Sequence, residues 1–259
     1  MENNPAKIVL VLEYDGTDYF GFQLQAKRPD QPTIQLELEK AIYHLTGEEL
    51  RVLAASRTDT GVHAKGQMVS FRTKSALQTG SFVTGLNHYL PEDIAVTAAF
   101  KVADSFDIRS DAVSREYSYY ILNRNTRSAL KRRFSYQVPA TLDVISMEKA
   151  GRELIGEHDF ASFTSNLGNR IKTVRCVSRS EMAQDKDTLV FHMTANSFLP
   201  HQIRNTMGAL IQVGLGKMNV NDFCDMMKAK KPGLAGPRVP ANGLFLMKVN
   251  YAEPFGEMN

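Results

Sequence analysis

The order in which strand-like and helix-like apolar patterns follow one another constrains the fold of this chain most. Apolar residues alternate along a half-buried strand, and they recur every three to four residues along one face of a helix. Thr33 and Gly47 are predicted to cap a first helix, and Pro91 is predicted to end a second. The resulting order is strand, helix, strand, strand, helix, strand, at residues 7–14, 33–47, 50–54, 67–71, 82–90 and 94–102.

The rest of the chain repeats this order with one additional helix. The predicted elements are a strand, a helix, two strands, two helices and a last strand, at residues 117–122, 147–154, 173–182, 188–195, 201–214, 220–228 and 244–249. Both parts therefore fit the βαββαβ motif. The prediction is an α+β protein with two ferredoxin-like halves and antiparallel sheets. The predicted domains are residues 1–105 and 106–259.

Net charge does not decide between classes of partner. Lysine and arginine exceed the acidic residues by three, which neither requires nor excludes a polyanion such as RNA. Two local clusters could hold phosphates or could be solvated faces. They are Arg124, Arg127, Lys131, Arg132 and Arg133, and Lys228, Lys230 and Lys231.

The two cysteines and the early apolar run indicate a cytoplasmic protein. Cys176 and Cys224 lack the spacing of a zinc site and fit free thiols in a reducing compartment. The apolar run that begins at Ile8 meets Glu13 too early for a signal peptide or a membrane span. No P-loop and no dinucleotide-binding glycine pattern occurs, so no nucleotide cofactor is expected. No metal-ligand spacing occurs either, so no metal is expected.

A polar loop precedes the predicted strand at residues 67–71. It contains Arg57, Asp59 and His63, an acid and a base at a strand end where side chains can face a cleft. The structural alternative is a turn in which Asp59 bonds its own backbone and Gly61 adopts a positive φ. His63 alone would usually be structural.

Two further segments combine aromatic, basic and polar residues. Alternation places Tyr117 and Tyr119 on one face of a strand, where the rings are either core or platforms that stack on bases. Pro200 suits a helix start, and Arg204 lies one step off the apolar stripe of that helix. Its guanidinium could point into a groove or simply into solvent.

Taken in order, these segments resemble the tRNA pseudouridine synthase A (TruA) family from Tyr14 to Tyr251. The matching pieces include Tyr14 to Thr17, Arg57 to Asp59 with Gly61 to Ala64, Arg115 with Tyr117 and Tyr119, His158 to Phe160, Phe198 and Leu199 with His201, Arg204 and Asn205, and Gly243 with Leu244. The chain departs from the family pattern at Ser56, Asp107, Ile108, Pro200 and Gln202, and it has no tryptophan.

The resemblance implies a role for each matching residue. Asp59 is expected to be the catalytic aspartate and Arg57 the neighbour that helps to flip the base. Tyr117 is expected to be the active-site tyrosine, Arg204 the partner of the aspartate and Leu244 a wall of the uracil pocket. The remaining substrate-binding candidates are Arg109, Arg115, His201 and Asn205.

The resemblance also implies a cleft between the two halves, the substrate and the partners. It predicts a homodimer that isomerises uridine to pseudouridine in the anticodon stem-loop of tRNA, as the family does at positions 38, 39 and 40. The rearrangement is redox-neutral, so it needs no cofactor. Asp59 would either stabilise an oxocarbenium-like sugar or bond to the substrate.

Two other functions compete with this prediction. Lys65 and Gly66 with Val69 and Phe71 loosely match an RNA-binding strand motif, which would suit a non-catalytic RNA-binding module. Alternatively, Asp59 and a second carboxylate could hydrolyse a small molecule. Pseudouridine formation and affinity for RNA distinguish the three functions.

Overall fold

A computed structural model describes residues 4–25, 30–165, 172–253 and 255. The chain forms two compact units. Unit 1 comprises Met1–Val113 and Leu246–Asn259, and unit 2 comprises Ser114–Phe245. This division differs from the predicted one, because the end of the chain returns to unit 1. Whether the two units are independent domains stays a prediction.

Unit 1 follows the predicted βαββαβ order. Its elements are β1 (Ala6–Tyr14), α1 (Ile34–Thr46), β2 (Leu53–Ala54), β3 (His63–Thr73), α2 (Thr79–Tyr89) and β4 (Ile94–Val102). Strand β1 pairs antiparallel with both β3 and β4, and β2 is a short strand beside β3. The last strand of the chain, β10 (Leu244–Tyr251), lies beside β3 from Leu246 onward.

The predicted caps of α1 are confirmed. Thr33 accepts a hydrogen bond from Leu36 N through its side chain. Gly47 has a φ of 74° and its amide donates to Tyr43 O, which closes the helix in the left-handed conformation that glycine adopts without strain. The buried face of α1 carries Ile34, Leu38, Ala41 and Ile42, at the predicted helical spacing.

Unit 2, within its described residues, contains four strands that pair antiparallel with one another, together with three helices. Its elements are β5 (Ala112–Leu122), β6 (Tyr136–Gln137), α3 (Val144–Arg152), β7 (Gly156–Asp159), β8 (Val174–Asp185), β9 (Thr188–Ala195), α4 (Gln202–Gly214) and α5 (Val220–Lys228), followed by the start of β10. The strand order is β5-β9-β8-β7. The short β6 pairs parallel with β5, an exception to the predicted antiparallel sheets.

The α+β class is confirmed, with two corrections to the predicted elements. Strands β6 and β7 were not predicted, because two to four residues are too few for a period to show. Helix α4 begins at Gln202, one residue later than predicted. His201 precedes it in a left-handed conformation with φ 61°, so Pro200 does not start the helix.

Candidate active site

Asp59 and Arg57 lie on the loop that joins β2 to β3 in unit 1. Arg57 is exposed and Asp59 is half-buried. The backbone turns here, because Val62 N donates to Asp59 O at 3.1 Å and Gly61 has a φ of 75°. The predicted positive φ of Gly61 is therefore confirmed. The turn does not exclude chemistry, since the aspartate side chain stays partly accessible.

Hydrogen bonds hold this loop on both sides of the candidate aspartate. The hydroxyl groups of Thr58 and Tyr14 are 2.8 Å apart and buried. Phe22 N donates to Thr58 O at 3.1 Å, and Gly61 N donates to Tyr19 O at 3.3 Å. Because backbone and side-chain bonds act together, the loop has little freedom to move the carboxylate.

Two glycines allow the chain to pass close to this loop. A Cβ on Gly21 would lie 2.7 Å from Thr58 O, and Gly21 has a φ of 82°. A Cβ on Gly16 would lie 2.0 Å from Val62 O. Both distances are shorter than real Cβ contacts, so any side chain here would push the loop away.

His63, the predicted base of the loop, is a structural anchor. Its ring is fully buried at the first position of β3. The ring Nδ1 lies 3.1 Å from Gly16 N and 3.1 Å from Asp15 Oδ1. Nδ1 accepts from the amide when it carries no proton and can donate to the carboxylate when it does. Either bond ties β3 to the residues that follow β1, and burial keeps the ring from a substrate.

Arg109 lies near the same loop in unit 1. Its Nε donates to Ala54 O in β2 at 2.9 Å. The backbone amides of Arg109 and Ser110 donate to Asp107 Oδ1 at 2.9 and 2.8 Å. The bonds from Ser110, followed by the one from Arg109, lower the pKa of Asp107 to about 2. The ionised Asp107 therefore shapes the turn that presents Arg109.

In unit 2, Tyr117 and Tyr119 lie on one face of β5, as predicted, and alternation places Arg115 on the same face. All three are buried. Arg115 donates from Nη1 to Asn196 O at 2.8 Å. Tyr117 packs edge-on against Phe198, with ring centroids 5.2 Å apart. Their burial agrees with the core alternative that was left open for these rings.

The start of α4 places His201, Arg204 and Asn205 within one turn. His201 and Arg204 are half-buried, and Asn205 is buried. The Asn205 amide nitrogen donates to Phe163 O at 2.8 Å, so this side chain connects the helix to the segment that carries Phe163. Gln202 closes the turn by accepting from Leu199 N at 2.8 Å.

Arg204 is fixed by the segment that leads into β10. Its Nε donates to Val239 O at 2.9 Å, and Val239 N donates to Arg204 O at 3.3 Å. Tyr119 donates to Pro240 O at 2.8 Å, and a Cβ on Gly243 would lie 2.8 Å from the Tyr119 ring. Burial raises the pKa of Tyr119, although the charge of Arg204 opposes this. Leu244, which is buried, follows directly.

The predicted residues thus form two groups. Unit 1 brings Arg57 and Asp59 together on one loop and ties Arg109 to the strand before it. In unit 2 the segment 239–244 connects Arg204 with the strand that carries Tyr119. Each group has a fixed geometry of its own.

The chain is similar to proteins of one family over most of its length. The family model described as tRNA pseudouridine synthase matches residues 10–111 and 150–252. The chain belongs to this family. A tRNA pseudouridine synthase A from Thermoanaerobacter sp. (strain X514) is 38% identical over 244 residues, which cover 94% of this chain and 99% of the relative.

Relatives from other bacteria agree. The enzyme so named from Nitrosomonas eutropha is 39% identical over 245 residues, covering 95% of this chain and 87% of the relative. The one from Roseiflexus castenholzii is 40% identical over 251 residues, covering 95% and 91%. The predicted enzyme class, a tRNA pseudouridine synthase that isomerises uridine in tRNA, is therefore confirmed.

The matched stretches contain most of the candidate site. Asp59 and Arg109 lie in the first stretch, and Arg204 and Leu244 lie in the second. Tyr117 lies between them, in a part that only the whole-chain comparisons with relatives cover.

Membership of this synthase family argues against the two competing functions. The RNA-binding alternative needs Val69 and Phe71 to face RNA, but both are core residues of β3. The hydrolase alternative has no support from the family.

Within residues 4–25, 30–165, 172–253 and 255, no cluster of three or more His, Cys, Asp or Glu could hold a metal ion. In the same residues no helix is long and apolar enough to cross a membrane.

Sequence reasoning missed one residue that supports the loop of this synthase. Gln67 is fully buried in β3 and donates from Nε2 to Ser56 O at 2.6 Å. A signal was present, because Gln67 alternates with Val69 and Phe71 and so belongs to the predicted apolar face of its strand. A carboxamide on a buried face needs polar partners, and here the loop supplies them.

We predict that Asp107→Asn lowers stability in a pH-dependent way. The folded pKa of about 2 lies below the ordinary value of 3.8, so the ionised carboxylate stabilises the fold above about pH 4 and stops doing so as the pH falls through 2. The difference in free energy of unfolding between wild type and variant, from urea titrations, should shrink between about pH 4 and 2. A difference that is independent of pH would contradict this role.

Proposed function

We propose that this tRNA pseudouridine synthase modifies uridines in the anticodon stem-loop of tRNA, with Asp59 as the carboxylate that acts on the sugar. The supporting observation is the position of Asp59 on a pinned loop where its side chain stays partly accessible. The loop lies within the stretch that matches the family model. The target within tRNA rests on the resemblance to the family.

The reaction exchanges one bond of the base for another. The N1–C1′ bond of uridine breaks, uracil turns within the site, and C5 bonds to C1′. C5 loses its proton and N1 gains one, so the sum of atoms is unchanged. Asp59 either stabilises the positive charge that develops at C1′ or bonds to the substrate and is released later.

A uridine inside a stem must leave the stack before its glycosidic bond is accessible. Flipping costs a few kcal/mol, which new contacts must offset. Arg57 supports this step in the proposal, because it is exposed and lies two residues before Asp59 on the same loop. Its side chain can replace the flipped base while the carboxylate meets the sugar.

Arg204 is the proposed partner of Asp59. A guanidinium carries a permanent charge and a planar set of donors that suits a carboxylate. The bond from Nε to Val239 O limits the rotation of the guanidinium within unit 2, which favours a fixed orientation. We expect Arg204 to balance the charge of Asp59 and to orient it.

The other candidates have supporting roles in the proposal. Tyr117 would stack on the base and assist loss of the C5 proton, and Leu244 would line the uracil pocket. Arg109 and Arg115 supply positive charge next to backbone carbonyls that fix them. His201 and Asn205 frame Arg204 on its helix.

The basic segment before β6 is the proposed phosphate-binding surface. Arg124 and Lys131 are already near Asp187, at 2.9 and 3.9 Å. Arg132 is exposed, and the Asn242 amide holds its backbone by donating to Arg132 O at 2.9 Å. Anchored cations lose little freedom when they bind a polyanion.

The proposal includes a cytoplasmic homodimer. The dimer is supported by the resemblance to the family. A reducing compartment agrees with the free thiols of Cys176 and Cys224.

We predict that Asp59→Asn binds tRNA normally but turns over at least about 10⁴-fold more slowly, since the reacting carboxylate is lost. Tritium release from tRNA labelled at uridine C5 measures turnover, and filter binding measures affinity. Asp104→Asn is the control, because Asp104 is an exposed aspartate of the same unit paired with Arg72. Turnover near wild type in Asp59→Asn would remove Asp59 from its role.

We predict that Arg204→Ala lowers kcat by roughly 10²-fold and changes KM little, because it removes charge and orientation at the reacting carboxylate. Arg204→Lys should recover only part of the rate, since an ammonium lacks the planar fork. The control is Arg238→Ala, an exposed arginine next to Val239. An effect on KM alone would reassign Arg204 to tRNA binding.

We predict that the double variant Arg132→Gln and Arg133→Gln binds tRNA with a flatter salt dependence. Two lost phosphate contacts reduce the slope of log K against log salt by roughly 1.5. Lys149→Gln with Arg152→Gln removes the same charge from the exposed face of α3 and serves as the control. An unchanged slope, or an equal change in the control, would show that the segment is only a solvated face.

A further inference from the structure

Gln67 makes an unusual set of bonds to the backbone of the Asp59 loop. Its Nε2 donates to Ser56 O at 2.6 Å, and its Oε1 accepts from Ser56 N at 3.4 Å. Oε1 also accepts from Met68 N at 3.1 Å. One carboxamide therefore holds both backbone groups of Ser56, and a side chain needs a donor and an acceptor to do so.

A further hydrogen bond connects Gln67, through Tyr14, with Thr58, two residues after Ser56. Gln67 Nε2 lies 3.4 Å from the Tyr14 hydroxyl, which in turn lies 2.8 Å from Thr58 Oγ1. Ser56 and Thr58 are thus bonded to side chains of β3 and β1. They flank Arg57, and Thr58 immediately precedes Asp59 in the chain.

We propose that Gln67 is a positioning residue that sets the place of Asp59 for the reaction. This inference rests on the proposed function of Asp59. Gln67 is fully buried, so it acts through the loop and does not touch the substrate. A displacement of a reacting group by about 1 Å can cost roughly a hundredfold in rate, so a hold on Ser56 and Thr58 bears directly on kcat.

The chemistry of the carboxamide makes the proposal testable by titration. In Gln67→Glu an ionised carboxylate would face Ser56 O and repel it, and the donor would be lost. The protonated acid has nearly the shape of glutamine and an O–H that can donate to Ser56 O. Burial favours the protonated form of a glutamate, which moves its titration toward neutral pH. Acidification should therefore restore the hold.

The experiment measures kcat and KM of Gln67→Glu and of wild type by tritium release at pH 8.5 and 6.0. Circular dichroism confirms that both proteins are folded under each condition. We expect kcat of the variant to be at least about tenfold below wild type at pH 8.5, with KM within about threefold. The ratio of the variant kcat to the wild-type kcat should be at least about fivefold higher at pH 6.0 than at pH 8.5.

Asn87→Asp is the matched control. The Asn87 carboxamide holds both backbone groups of Val96, with Nδ2 donating at 2.9 Å and Oδ1 accepting at 2.7 Å. It does so in the same unit but outside the Asp59 loop. The same chemical change there should leave the kcat ratio near one at both pH values.

Three outcomes separate the possibilities. A ratio for Gln67→Glu that does not change with pH overturns the positioning role. An equal pH-dependent change in Asn87→Asp also overturns it, because the effect would then be a general loosening of unit 1. Asp59→Asn is measured in parallel: turnover in that variant rejects the proposed function, whatever Gln67→Glu shows.

Discussion

The antiparallel pairing of β1 with β3 is the constraint on which the loop of unit 1 depends. Leu12 pairs with Gln67 and Tyr14 pairs with Ala64, and the register shifts between these pairs. Such an irregularity re-aims side chains at the end of a strand. It places the Tyr14 hydroxyl against Thr58 while Gln67 reaches Ser56, so two strands of the core directly support the residues before Asp59.

This support is polar and buried, which makes its members interdependent. Gln67 and Thr58 lie in the core of unit 1, where a hydrogen-bonding group without a partner costs about 1–3 kcal/mol. Each of them bonds to a neighbour, so removal of one costs that neighbour a hydrogen bond. Networks of this kind respond to mutation as a unit. The same property limits motion of the loop, because no single bond can open without loss in the others.

The helices and strands could be predicted from the sequence more fully than the contacts within the candidate site. The caps of α1 and the limits of β4 follow from local signals, a threonine, a glycine and strict alternation. The place of the Asp59 loop followed from the polar residues before a predicted strand, whereas the role expected of Asp59 came from the resemblance. The return of β10 to unit 1 from Leu246 had no local signal, since strand partners are set by tertiary packing. The hydrogen bonds between Gln67 and Ser56 could not be predicted for the same reason, because they depend on how the loop packs against β3.

Three arginines of the candidate site share one arrangement. Arg109 donates to Ala54 O, Arg115 to Asn196 O and Arg204 to Val239 O. A guanidinium has five N–H groups, so after one of them bonds to a carbonyl the others can still donate, and the positive charge is unchanged. What it removes is rotamer freedom, which binding would otherwise have to overcome at about 0.5–1.5 kcal/mol per side chain. Arginine suits this arrangement better than lysine, whose single ammonium cannot divide its donors between a carbonyl and a ligand in one plane.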